Sequence, residues 1–511
     1  MKKDSFYITT PIYYPSGQPH MGHAYSSILA DVLARFKRND NFNVHFLTGT
    51  DEHGLKIQRS AEKNSKSPQE LCDEISTVFK NLSKNLNLSN DDFIRTTEKR
   101  HHKAVTFLWN KLVESGDIYL SKYKGWYSLS DEAYYNKEEI TDKDGKKISI
   151  SSGSLVEWVE EESYFFKLSS WQNKLLDFYG QNKNFITPIS RKNEVVNFVK
   201  SGLTDLSISR TSFTWGIKVP ENKNHVIYVW LDALTNYISA LNYPNINDDL
   251  YKRYWPVSLH VIGKDILRFH AVYWPAFLLA ANITPPSKIF SHGWIMSGDE
   301  KMSKSKGNIL DPINIVKKYG IDELRYYLIK EISHGSDASI SLGNLEKCIN
   351  SDLANNFGNL CQRIFAFINN NCNGEVVKIK NLTDEDIMLV NKTKKLTNEL
   401  RKMIDNQSLN NYIKSVIEIS FLTNKYINDE EPWKLKKTNV EKMNNILHLS
   451  LEQIAKISIL LNPIIPESTA KVLDALNIDS DKRKFTFIND DSILPNKVSI
   501  KKLEILFKKF L

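Results

Sequence analysis

Phe6-Tyr7-Ile8-Thr9-Thr10, then His20-Met21-Gly22-His23, then Asn43-Val44-His45-Phe46-Leu47: the order of these three stretches decides the fold. The first and last are short runs rich in β-forming residues and read as strands. Between them, from His23 to Asn39, Ile28, Leu29, Val32, Leu33 and Phe36 recur at helical spacing. A further helix is predicted from about Gly54 to Lys63. Strand, helix, strand, helix predicts a parallel sheet with crossover helices.

From about Asp117 to Asn224 the pattern breaks into sequence rich in Tyr, Trp, Ser and Glu, with a hairpin turn predicted at Asp144-Gly145. The doubly wound pattern is expected to resume at Val226-Ile227-Tyr228-Val229-Trp230. It continues through Leu259-His260-Val261-Ile262 and Lys288-Ile289-Phe290. The middle therefore reads as an insertion into a split nucleotide-binding domain. After about Asn350 the strands are expected to stop. Helical patterns follow near 385–403, 409–427 and 440–462, and Leu409, Tyr412, Ile413, Val416 and Phe421 mark one apolar face. The predicted class is α/β: a Rossmann-like parallel sheet domain split by an insertion, followed by an α-helical bundle domain.

A chain of 511 residues is too long for one hydrophobic core and implies about two to four domains. With 41% hydrophobic and 25% charged residues, disorder is not the default. A net charge of +8 suits a polyanionic partner such as RNA, and equally a Lys-rich soluble surface. The four cysteines, Cys72, Cys348, Cys361 and Cys372, form no C-x-x-C pair. Their spacing suits neither a disulfide framework nor a tetrahedral zinc site, which predicts a reducing compartment. No apolar leader opens the sequence and no apolar run is long enough to span a membrane, so a cytoplasmic protein with no membrane partner is expected.

Two motifs carry chemistry. His20-Met21-Gly22-His23 sits where the first strand gives way to the first helix. A helix N-terminus offers N–H groups and a positive dipole end to phosphate. Gly22 lets a nucleotide base approach the backbone closely. His20 and His23, three apart, lie on one side of that turn and can both donate to phosphates as charge shifts in a transition state. The second motif is Lys301-Met302-Ser303-Lys304-Ser305-Lys306-Gly307-Asn308. Lysines and serines beside glycines make an anion-binding loop able to close over a triphosphate. Taken singly, each motif also reads as a solvated cap or a basic turn.

Together they resemble the paired signatures of the class I aminoacyl-tRNA synthetases, and Pro11-Ile12-Tyr13-Tyr14, Thr48-Gly49-Thr50-Asp51-Glu52-His53-Gly54, Trp230-Leu231-Asp232-Ala233-Leu234-Thr235-Asn236-Tyr237 and Gly263-Lys264-Asp265-Ile266-Leu267-Arg268-Phe269-His270 resemble the methionine enzymes of that class. The resemblance covers nearly the whole chain. It implies ATP-dependent activation of L-methionine to methionyl-adenylate and transfer to tRNA(Met), with Mg²⁺ accompanying ATP. It assigns catalysis to His20, His23 and Lys304 with Lys301 in support, and ATP binding to His20, Gly22, His23, Asp265, His292 and Lys304. The methionine site would be lined by Ile12, Tyr14, Asp51, Trp230, Ala233, Tyr237, Ile266 and His270. Asp51, at a strand's carboxyl end, can pair with the substrate ammonium. Trp230 and Tyr237 offer aromatic faces to a thioether. Alternatives are another class I synthetase, a nucleotidyltransferase-like enzyme without tRNA, and a non-catalytic RNA-binding derivative.

The insertion departs from part of the family. Many relatives carry cysteine pairs there, whereas this chain has Ser128, Asp131, Ser151 and Ser154 near the expected ligand places. Serine is a poor zinc ligand, so no structural zinc is expected. At about 110 residues the insertion is small for a separate editing domain. The helical tail resembles the family's anticodon-binding domain, with Asn359, Arg363, Pro432 and Trp433 at the anticodon-reading positions. Trp433 offers a stacking face, and Asn359 and Arg363, four apart on a helix, point the same way. The implied domains are 1–116 and 226–296 for the two catalytic halves, 117–225 for the connective insertion, 297–349 for the lysine loop and stem-contact region, and 350–511 for the anticodon-binding domain with its extension. A monomer is expected.

Overall fold

The computed structural model describes residues 4–510, apart from 16, 129, 132, 136, 298, 299, 302–309, 334, 379–381, 490 and 491. β1 (Ser5–Tyr13), α1 (Met21–Asn39) and β2 (Asn43–Thr50) form where the opening stretches predict them. The inner residues of β1 and β2 are buried in unbroken runs rather than alternately, as expected for parallel strands covered on both faces. Next come β3 (Asp92–Arg95), α2 (Lys99–Glu114), β4 (Ile118–Ser128), β5 (Glu157–Phe166) and β6 (Ile186–Thr187). α3 (Val229–Ser239), β7 (Leu259–Gly263) and β8 (Ile289–His292) follow.

The central sheet has the order β3-β2-β1-β7-β8-β6 and every pair is parallel. Strand order reverses between β1 and β7. That switch point opens a crevice at the carboxyl ends of the strands, the position where such sheets bind ligands.

Three sequence expectations change here. Val226-Ile227-Tyr228-Val229-Trp230 is not a strand of the central sheet. Only Val226 and Ile227 form a strand, pairing with Arg210 and Ser209 in a separate two-stranded sheet, and α3 begins at Val229. β6 lies inside the expected insertion yet returns to edge the central sheet, with Ile186 opposite Ile289. Strands also continue past residue 350: Glu375–Val377 pairs antiparallel with Lys497–Ser499.

The insertion is built on the antiparallel pair β4–β5. The predicted hairpin joins Ile140–Lys143 to Lys146–Ser149, and Asp144 and Gly145 both take positive φ (52° and 74°), as a two-residue turn requires. At its tip, the backbone N–H of Asp131 points to Ser128 Oγ (3.3 Å) and that of Ser152 to Ser149 Oγ (3.4 Å). The i,i+3 pairs are thus Ser128/Asp131 and Ser149/Ser152, rather than pairs built on Ser151 and Ser154. The Asp131 carboxylate accepts from Ser152, from Ser154 (2.8 Å) and from Tyr135 (2.8 Å). Hydroxyls and one carboxylate already committed to one another are a poor donor set for zinc.

The C-terminal part contains α4 (Ile321–Glu331), α5 (Asn359–Asn371), α6 (Leu409–Glu430), α7 (Val440–Leu461) and α8 (Pro466–Ala475). One apolar core runs from Ile8, Phe46 and Leu259 of the sheet through Leu324 and Tyr326 of α4 to Leu447 and Ile454 of α7. A second core covers the opposite face of the sheet. At the junction Arg325, fully buried, donates to Asp31 Oδ2 of α1 (2.7 Å) and to the carbonyls of Leu86, Pro463 and Ile464. Residues 503–510 return to this seam: Phe510 bonds Asn350 through its backbone in both directions and packs on Tyr319.

Candidate active site

His20 is the N-cap of α1. Its Nδ1 accepts from the backbone N–H of Gly22 (3.1 Å), while His23 Nδ1 accepts from the backbone N–H of His20 (3.2 Å). The two imidazoles form a capping box, a role usually filled by Ser or Thr with Glu. With both Nδ1 atoms accepting, each neutral ring carries its proton on Nε2. The rings stack at 3.8 Å between centroids. A Cβ at Gly22 would stand 2.9 Å from His20 Cε1, so Gly22 makes room for the His20 ring as well as for any ligand.

Ser26, one turn further along α1, meets His292 Nε2 at 2.7 Å across the crevice. His292 ends β8, is buried, and its Nδ1 lies 2.8 Å from the Gly293 carbonyl. Burial holds this imidazole below its ordinary range, so it is neutral at pH 7. Asp265, exposed, follows β7, and its Oδ1 occupies the space a Cβ on Gly263 would need. His20, His23, Asp265 and His292 thus gather at the carboxyl edge around the switch point.

The residues predicted for methionine fall on neighbouring elements, and their apolar members share one core. Ile12, Trp230 and Ile266 are half-buried against the same core, and Ala233 is buried one helical turn beyond Trp230. Trp230 stacks on Phe269 at 3.6 Å between centroids. Tyr237 Oη lies 2.7 Å from His270 Nε2, while His270 Nδ1 lies 3.0 Å from the Ile266 carbonyl. Donation from Nδ1 leaves Nε2 accepting the phenol proton. Burial brings the His270 imidazole down to about 4. Burial, reinforced by the Asp51 charge, pushes the Tyr237 phenol well above its ordinary value. This cluster is therefore neutral and aromatic at pH 7, with one carboxylate, Asp51, just after β2. Tyr14 donates from its hydroxyl to the His53 carbonyl (3.0 Å), tying β1 to the loop that carries Asp51.

Lys301 pairs through its backbone with Met296 in a short hairpin. Lys304 lies outside the described residues.

Sequence reasoning passed over several groups beside the site. Arg210 is buried with its guanidinium 4.5 Å from the Tyr228 ring, at the start of α3. Its only sequence signal is a single charge in the otherwise uncharged stretch Leu206–Phe213. His53, His101 and Asp232 converge in the core behind Asp51 from three distant places in the chain.

The four anticodon-type residues also come together. Asn359 is exposed on α5, and Arg363, one turn on, sits 5.6 Å from the Trp433 ring centre. Trp433 is 42% exposed, a large aromatic left open to solvent. Pro432 is buried at the first position of a short helix, after Glu431 in the left-handed region (φ 43°). Arg363 Nη2 donates to Asn428 Oδ1 (2.8 Å), which adds a residue of α6 to this face.

Residues 6–365 match the family described as tRNA synthetases class I (M), and residues 376–511 match the anticodon binding domain of methionyl tRNA ligase. A methionine–tRNA ligase of Rickettsia felis is 48% identical, the alignment covering 99% of each chain. One of Brucella suis is 48% identical over 95% of this chain and 94% of that one. Among solved structures, Mycobacterium tuberculosis methionyl-tRNA synthetase in complex with methionyl-adenylate superposes with a TM-score of 0.96 at 42% identity, covering 99% of both chains. The apo form of the same enzyme gives 0.90 at 38% identity, covering 100% of this chain and 99% of that one. Matched in both its catalytic and its helical part, and aligned end to end with curated relatives, the chain belongs to the class I methionine–tRNA ligases.

Proposed function

We infer that the chain activates L-methionine with ATP and transfers it to tRNA(Met). In the first step the methionine carboxylate attacks the α-phosphorus, the bond to the β-phosphate oxygen breaks, and pyrophosphate leaves. In the second a terminal ribose hydroxyl of the tRNA attacks the activated carbonyl and AMP leaves. Such chemistry needs positioning and charge stabilisation rather than a covalent enzyme intermediate.

The observation that carries the residue-level reading is the imidazole capping box at the switch point. It presents two Nε2 donors and a helix N-terminus on the same sheet edge as the neutral aromatic cluster. On this reading His20 and His23 bind the triphosphate and stabilise its developing charge, with Lys301 and Lys304 reaching it from the second motif. Asp265 and His292 hold the nucleoside side. Asp51 takes the substrate ammonium, and Ile12, Tyr14, Trp230, Ala233, Tyr237, Ile266 and His270 enclose the thioether. Mg²⁺ enters as the counter-ion of ATP. Asn359, Arg363, Pro432 and Trp433 receive unstacked anticodon bases.

On this reading the enzyme is a cytoplasmic monomer, and its four free cysteines suit a reducing compartment. Amino-acid-dependent ATP–pyrophosphate exchange across all twenty amino acids tests the substrate, and methionine alone is expected to support it. Lys304→Ala is expected to slow exchange by about 100-fold or more while tRNA binding persists. Unchanged exchange in that variant removes the role given to Lys304.

A further inference from the structure

We propose that Asp232, with the two histidines it joins, is a positioning clamp that holds the Asp51 loop at a set distance from the Trp230–Tyr237 helix and thereby sets methionine affinity. The proposal rests on the reading of those residues as the methionine pocket.

Asp232 lies on α3 and is fully buried, as is His101 of α2, while His53 is nearly so. Asp232 Oδ2 is 2.6 Å from His53 Nδ1 and Oδ1 is 2.6 Å from His101 Nε2. A buried carboxylate is tolerated only when its oxygens are met by strong donors. Here each oxygen has one imidazole. Ser239 Oγ, which donates to the Asn236 carbonyl (3.0 Å), lies 2.9 Å from His101 Nδ1, so the His101 ring is held on both of its nitrogens. Burial works to raise the Asp232 carboxyl, but the two imidazoles outweigh it and hold it well below the usual carboxylate range.

The loop shows why this matters for substrate. Glu52 turns to another set of partners, accepting from Arg95 Nε (2.7 Å), Thr50 (2.7 Å) and Thr97 (2.6 Å), and its carbonyl accepts from Trp215 Nε1 (2.6 Å). His53 turns the other way, to Asp232. Of these side-chain ties only the one from His53 reaches α3, the helix carrying Trp230, Ala233 and Tyr237. Asp51 holds one end of methionine and α3 lines the other. The His53–Asp232 contact therefore fixes the span into which the amino acid must fit, and no nucleotide-side residue shares it. A slack clamp should weaken methionine binding selectively, whereas a merely structural defect would degrade both substrates together.

The test is pyrophosphate exchange by the full chain with Asp232→Asn, His53→Leu, His53→Asn and Asp51→Asn, alongside thermal melting. Asparagine places an amide N–H near where Nδ1–H stands, and leucine places none. Expected are a rise in KM for methionine of about tenfold or more in Asp232→Asn and His53→Leu, KM for ATP within about twofold, and recovery to within about threefold in His53→Asn. The proposal is overturned if KM for methionine stays within about twofold in His53→Leu, if both KM values rise in step with a lower melting temperature, or if His53→Asn is as impaired as His53→Leu. Should Asp232→Asn fail to fold, the two His53 variants decide alone. Asp51→Asn separates the underlying reading: if it leaves methionine KM unmoved, the pocket assignment fails whatever the clamp variants do.

Discussion

At the scale of single residues, the buried neutral histidines make the protein sensitive to acid. His270 is the best defined: burial lowers it to about 4, against an ordinary value near 6.5. The unfolded chain therefore binds a proton between these two values that the folded chain refuses. Stability is fully present above about pH 6.5 and falls as pH drops through the window toward 4. The cost at pH 5 is about 2 kcal/mol from this residue. His260 and His292, both held down chiefly by burial, act in the same direction. Urea midpoints measured from pH 7.5 to 5 should fall steadily, and less so in His270→Gln, whose amide does not titrate in that range. What was legible at this scale followed from local spacing. His20 and His23 stand three apart and their capping geometry lies within one turn. The His53–Asp232 contact spans 179 residues of chain, and no local pattern announces it.

At the scale of elements, the parallel β-α-β opening was legible because each strand is a compact apolar run and α1 carries a periodic stripe. The first turn of α3, Val229 and Trp230, was misread as the end of a strand for a physical reason. That helix is buried on nearly every face, so Val226-Ile227-Tyr228-Val229-Trp230 shows no 3.6-residue alternation and its β-branched and aromatic residues mimic a strand. β6 went unseen because two residues leave no period to detect. The serine knuckle was recognised as lacking thiolates, but not how it closes. Asp131 is its hub, so Asp131→Ala should remove three acceptor contacts at a local cost of about 1–3 kcal/mol. Hydrogen exchange confined to about 128–154 would read this, with the melting of the central sheet unchanged. On the bundle, Trp433→Ala should weaken tRNA binding by about 1–3 kcal/mol through lost stacking. Pyrophosphate exchange, which needs no tRNA, should stay at the level of the unaltered protein.

At the scale of the whole molecule, the catalytic sheet and the helical bundle are not beads on a string. One apolar core crosses between them, and Arg325 crosses with it, bonding α1 on one side and the Pro463–Ile464 turn on the other. Removing the guanidinium leaves the buried Asp31 charge without its main partner. Arg325→Ala should therefore cost about 3–5 kcal/mol, and Asp31→Leu combined with Arg325→Leu should recover much of it. Denaturant unfolding of the single and paired variants distinguishes this from a simple loss of packing. The +8 charge, by contrast, pointed to no surface in particular, because composition carries no placement. The returning tail has its own consequence for synthesis. Phe507 lies against Gly358, and Phe510 against Asn350 and Tyr319, all from much earlier in the chain. A nascent polypeptide stalled on the ribosome before residue 503 would thus hold Tyr319 and Gly358 uncovered, and chaperone occupancy should persist until the codons for residues 503–510 are read.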